Sequence, residues 1–84
     1  MKVNEVIQLA EIKGIAMKYT VIVEKGIKNF GAYVPDLPGC VAVGESKQEV
    51  LSLIREAIGL HIESLRTDGL PVPEPTSSSE LVEV

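Results

Sequence analysis

The chain of 84 residues has no tryptophan, one phenylalanine and two tyrosines, so aromatic side chains make up only 4% of it. Because 45% of its residues are hydrophobic, any core must be built mainly from valine, isoleucine and leucine. A single cysteine, Cys40, excludes an internal disulfide and a cysteine metal cluster, and it suits a reducing, cytoplasmic setting. No basic residue stands near it in sequence, so Cys40 reads as a small strand residue rather than an activated thiol. No apolar run approaches the roughly 18 residues a membrane span needs. Asn4, Glu5, Gln8, Glu11 and Lys13 break up the Val3–Ile15 stretch, which leaves no apolar core for a signal peptide there.

Positive charge is also scarce after residue 30. Residues 1–30 hold five lysines against three glutamates, a net +2, whereas residues 31–84 hold three basic side chains against nine acidic ones, a net −6. An acidic body repels phosphate backbones and suits a basic protein partner. Direct nucleic-acid binding by this chain alone is therefore not expected, and neither is membrane association.

One short stretch carries most of the structural information. Phe30, Ala32 and Val34 alternate with Tyr33 at period two, as in a half-buried strand. Pro35 and Pro38 then bracket Asp36-Leu37, each fixing its own φ and pushing the residue before it towards extended geometry. Gly39 permits a reversal, and Cys40 to Val43 begin a new alternation. A first strand over residues 18–24 precedes this pair, joined to it by a turn containing Gly26 and Asn29. Short connections between three successive strands define an antiparallel meander, since parallel pairing needs long crossovers.

At Ser46 the period changes from 2 to 3.6. Ser46-Lys47-Gln48-Glu49 has the capping-box spacing. Beyond it Val50, Leu53, Ile54, Ala57, Ile58, His61, Ile62 and Leu65 form one broad apolar face, until Gly69 supplies a left-handed stop. Gly59, inside this helix, marks either the close approach of another backbone or a tolerated surface position. Residues 70–75 alternate with prolines and cannot form a helix or a central strand, so they should return along the body as an extended strap. Residues 76–79 read as a flexible hinge, and Glu80 to Val84 as a short edge strand serving this molecule or a neighbour. At the other end, Val3, Val6, Ile7 and Ala10 recur at helical spacing, so residues 1–16 are expected to be a helical or flexible extension. The fold class is α+β. A three-stranded antiparallel meander carries one long helix on one face and ends in a short strand, in the order β-β-β-α-β. Residues 17–75 form the domain, 1–16 an N-terminal extension and 76–84 a tail.

The sequence from Met17 to Pro75 resembles the HicB-type antitoxin family. The resemblance rests on the opening Met17-Lys18-Tyr19-Thr20-Val21, the string Tyr33-Val34-Pro35-Asp36-Leu37-Pro38-Gly39-Cys40, Gly44 ahead of the Ser46 cap, and the Gly69-Leu70-Pro71-Val72-Pro73-Glu74-Pro75 tail. It implies a fold like a truncated ribonuclease-H-like core. It also implies a partner, a HicA-like toxin: a small basic ribonuclease that cleaves messenger RNA and is held inactive by the antitoxin. Family members that repress their own operon carry a C-terminal DNA-binding segment, and the residues after Pro75 are too few for one. The alternative within the same fold is an orphan module for protein interaction or oligomerisation, without catalysis.

The residues give little support to an enzyme. His61, the only histidine, lies among Ile58, Ile62 and Leu65 and reads as a packed or face-edge side chain. Asp36, Glu45 and Glu49 could hold magnesium only if brought together, yet Glu49 is claimed by the helix cap and Asp36 by a turn. No catalytic residue, metal or cofactor is expected. The candidate partner-binding residues are Tyr33, Pro35, Asp36, Leu37 and Pro38 in the rigid turn, and Glu56 and Glu63 on the acidic helix edge. Self-association, as a homodimer or higher oligomer, is expected through an unpaired strand edge.

Overall fold

The computed structural model describes residues 3–9 as backbone and residues 18–83 in full. Four strands form one antiparallel sheet: β1 (Val3–Leu9), β2 (Tyr19–Lys25), β3 (Phe30–Tyr33) and β4 (Val41–Gly44), neighbours in that order. One helix, α1 (Lys47–Thr67), covers one face and packs over β4 and β3. The meander and the long helix thus agree with the sequence reading to within a residue or so at each boundary.

Residues 3–9 differ from the expected helical or flexible extension. They pair along their whole length with β2, Val3 opposite Lys25 and Leu9 opposite Tyr19. The physical reason is the backbone. A helix this short is marginal on its own, whereas pairing satisfies a row of main-chain groups that β2 would otherwise leave open. Ala10 and the rest of the expected extension lie outside the described residues. The C-terminal strand is also absent over residues 80–83, which have no regular secondary structure; Val84 lies outside the described residues. Leu81 and Val82 remain exposed there.

Alternation sets the core. Tyr19, Val21 and Val23 of β2, with Ala32 and Val34, face the helix and are buried; from the helix come Val50, Ile54, Ile58 and Ile62. These four recur every fourth residue, so the fully buried stripe is narrower than the apolar face read from the sequence. Ala57, His61 and Leu65 are half-buried at its margins, and Leu53 is exposed.

The helix begins and ends by local rules. The Ser46 hydroxyl accepts from the amide of Glu49 at 3.1 Å, while the Glu49 carboxylate accepts from the amide of Glu45 at 2.8 Å. The return bond expected of a capping box therefore lands one residue before the cap. At the other end Gly69 adopts φ 71°, the amide of Leu70 reaches the carbonyl of Leu65 and that of Gly69 reaches Arg66. This double bond pattern satisfies the last carbonyls of the helix and turns the chain into the strap.

Candidate partner-binding surface

The Pro-bracketed segment is two β-turns placed back to back. The amide of Leu37 donates to the carbonyl of Val34 at 3.1 Å, and the amide of Cys40 donates to the carbonyl of Leu37 at 3.0 Å. Each turn carries a proline at its second position, where a fixed φ is favoured, and Gly39 takes φ 84° at the third position of the second turn. Leu37 is the shared corner. The double turn drives it inward, where it is completely buried with Tyr19, Val34 and Ile62 in the core cluster. Leu37 therefore acts by anchoring the corner.

Asp36 has a definite task in this fold. Its carboxylate accepts four hydrogen bonds from the strap: from the amide and hydroxyl of Thr76 at 3.0 and 3.2 Å, and from the amide and hydroxyl of Ser77 at 2.9 and 2.7 Å. Two bonds from the sheet reinforce the attachment, the Tyr19 hydroxyl donating to the Pro73 carbonyl at 2.6 Å and Thr20 to the Ser77 carbonyl at 2.9 Å. Thr76 and Ser77 are thus held in place, in contrast to the free hinge expected there. Val72 packs against the core cluster from the strap. No local sequence signal links Asp36 to residues forty positions away, and serines and threonines after a proline run look like linker composition.

Electrostatics follow from these contacts. The amide and hydroxyl of Ser77, with the groups of Thr76, hold the Asp36 carboxyl below its ordinary value of 3.8. Because the folded value is depressed, the contribution of Asp36 to strap docking is fully present above that ordinary value and is lost as pH falls through the folded one. Acid titration followed by NMR should release the Thr76 and Ser77 amides together as Asp36 protonates. A midpoint at or above the ordinary value would show that the clasp does not form. Burial, and then the nearby carboxylates of Asp36 and Glu74, push the Tyr19 phenol up, with Arg66 opposing. Burial alone raises the Cys40 thiol, the opposite of activation.

The named residues do not form one patch. Tyr33 is exposed on the sheet face away from the helix, opposite Ile22 on one side and Val41 on the other. Pro35 and Pro38 are exposed at the corner, and Glu56 and Glu63 are exposed on the helix. Asp36 is tied to the strap and Glu49 to the Glu45 amide, so the three carboxylates considered for magnesium have separate structural partners or positions. Among the described residues no group of three or more His, Cys, Asp or Glu side chains is placed to hold a metal ion. No helix among them is long and apolar enough to cross a membrane.

The outer helix face is the most distinctive surface. Glu49, Glu56 and Glu63 recur at intervals of seven and line one flank, with the exposed Leu53 and Leu60 beside them. A rigid helix with carboxylates interleaved with exposed leucines is suited to docking a basic, partly apolar partner.

A one-helix-on-meander domain with a clasped strap and an acidic outer helix defines the class, a small α+β module. Its family is narrower still: a family model described as "HicB_like antitoxin of bacterial toxin-antitoxin system" matches residues 19–84, and the chain belongs to that family. Curated relatives agree. A UPF0150 protein of Thermoplasma acidophilum is 45% identical over 58 residues, 68% of this chain and 84% of that protein. A UPF0150 protein of Synechocystis is 42% identical over 57 residues, 67% of this chain and 72% of the relative. An uncharacterized 14.9 kDa protein of Haemophilus phage HP1 is 34% identical over 58 residues, 69% of this chain and 44% of that protein. No solved structure matches the chain.

Proposed function

We propose that this chain is the antitoxin that binds a small basic, HicA-like messenger-RNA-cleaving toxin and neutralises it by masking its RNA-binding surface. Membership of the antitoxin family supports a toxin partner in general, and the acidic outer face of α1 is the observation that carries the specific reading. A ribonuclease must present positive charge to hold RNA, so an inhibitor carrying Glu56 and Glu63 on a preformed helix competes for the same surface. The helix is packed before binding, so little ordering entropy is lost on contact. In this reading the chain acts by occupation, without catalysis and without binding nucleic acid itself. Asp36 and Leu37 serve it indirectly, by fixing the corner and the strap.

Co-purification from the native host should recover a small basic protein with this chain. Titration of that protein against the chain should weaken as salt rises, because exposed charges are screened. Replacing Glu56 and Glu63 together by lysine should raise the Kd by about tenfold or more, since reversed charges oppose the encounter. Salt-independent binding that survives this double reversal would overturn the reading, as would tight binding of the chain alone to duplex DNA.

A further inference from the structure

The strap is tied down at few points, and most of them end on one side chain. Residues 70–83 have no regular secondary structure, so no strand ladder fastens them to the sheet. Six hydrogen bonds hold residues 73–77 to the body, and the partly exposed Asp36 accepts four of the six. The other two define the route of the strap. Tyr19 and Thr20 are successive residues of β2, so their side chains leave the sheet on opposite faces. Tyr19 points to the helix side and bonds Pro73; Thr20 points to the outer side, bonds Ser77 and is buried there. Between Pro73 and Ser77 the strap therefore passes round the end of the sheet from one face to the other. Four extended residues span up to about 14 Å, enough to go round a single strand layer.

We propose that residues 70–77 are a latch that opens as one unit about Gly69 while the sheet and helix stay folded, with the Asp36 carboxylate as its catch, and that the catch decides where residues 78–83 are presented. Unity follows from the shared acceptor. The amides and hydroxyls of Thr76 and Ser77 all donate to one carboxylate, so losing that carboxylate releases both residues together, and only two single, neutral bonds remain. Gly69, at φ 71° and with nothing within 4 Å of a Cβ built on it, leaves room for the pivot. With the latch closed, the chain leaves Ser77 on the outer face beside Thr20, two residues along β2 from Ile22, which pairs with Tyr33. The exposed Leu81 and Val82 are thereby delivered to the side of the sheet opposite α1. With the latch open, residues 78–83 swing from Gly69 instead, and the Tyr19 phenol loses its cover. The latch lies beyond the toxin reading and needs no partner protein.

Amide hydrogen exchange of the full chain, followed by NMR, tests the latch without any variant. The Thr76 and Ser77 amides should share one protection factor, well below that of Ile54 and Ile58 in α1; protection equal to the helix would overturn the proposal, because the strap would then open only with the whole domain. Asp36→Asn should lower protection at both strap amides by about tenfold or more and leave Ile54 and Ile58 unchanged. Ser77→Ala, a milder change that keeps the carboxylate, should also lower protection at Thr76, and a loss confined to residue 77 would show that the strap does not move as a unit. The route of the tail is read with a nitroxide label on Ser79→Cys, the buried Cys40 staying unlabelled. In the otherwise unmodified chain it should broaden Ile22 and Tyr33 more than Glu56 on the outer helix, and Asp36→Asn should abolish that preference. The same preference in both chains would overturn the role of the catch.

Discussion

Truncating Ile54 to alanine should destabilise the protein by about 2–5 kcal/mol, while Leu53→Ala should stay within about 0.5 kcal/mol. The two residues are neighbours on one helix, but they differ in what surrounds them. Ile54 is completely buried at the centre of the Val50, Ile54, Ile58, Ile62 row, in one core cluster with Val21 and Val23 of β2, Ala32 of β3 and Val34 just beyond it. Removing its branches leaves a cavity that a close-packed aliphatic core closes only in part. Leu53 stands one step round the helix and is 39% exposed, so its truncation removes a side chain that solvent already reaches. Urea unfolding of both variants checks the pair. Equal losses would mean that the helix is rotated about its axis relative to this description.

That contrast shows where sequence periodicity is informative and where it stops. The hairpin turns, the helix boundaries and the β3 alternation were legible because each rests on a local rule: proline at the second turn position, a serine cap, a left-handed glycine, alternation of two. The width of the helical stripe was not. Leu53 and Ile54 are equally apolar, and only the angle at which α1 lies on a sheet with its twist decides which is covered. Residues 3–9 failed for a related reason. Apolar residues at positions 3, 6 and 7 fit a helix as well as a short strand, and the arbiter was the open edge of β2, a partner remote in sequence. The clasp at Asp36 was hidden more deeply. Its four donors belong to Thr76 and Ser77, whose composition indicates a linker, and nothing local distinguishes a serine that docks from one that does not. On the candidate surface, the heptad-spaced glutamates could be read directly from spacing. The inward placement of Leu37 could not, because it depends on two turns sharing one corner.

A single added methyl group at Gly44 should be more damaging than most changes on the surface, lowering stability by about 1–3 kcal/mol as Gly44→Ala. Gly44 is buried at the end of β4, where the chain leaves the sheet and the first turn of α1 folds back against it. A Cβ there would stand 2.9 Å from the Val50 amide nitrogen, 3.0 Å from a Glu49 carboxylate oxygen and 3.2 Å from the Val50 Cα. The carboxylate could swing away only by giving up its bond to the Glu45 amide. The other two atoms belong to the helix backbone, so relief requires moving the first turn, and with it Val50 out of the core. Gly59 provides the control, since it is a glycine whose position in mid-helix raised the same expectation of close approach. Nothing lies within 4 Å of a Cβ built at Gly59. Gly59→Ala should therefore stabilise the helix by about 0.5–1 kcal/mol, the ordinary gain from restricting the unfolded chain and improving helix propensity. Thermal melts of the two variants should move in opposite directions. If both rise, the junction between β4 and α1 is looser than described; if both fall, the outer side of α1 near Gly59 is covered in solution.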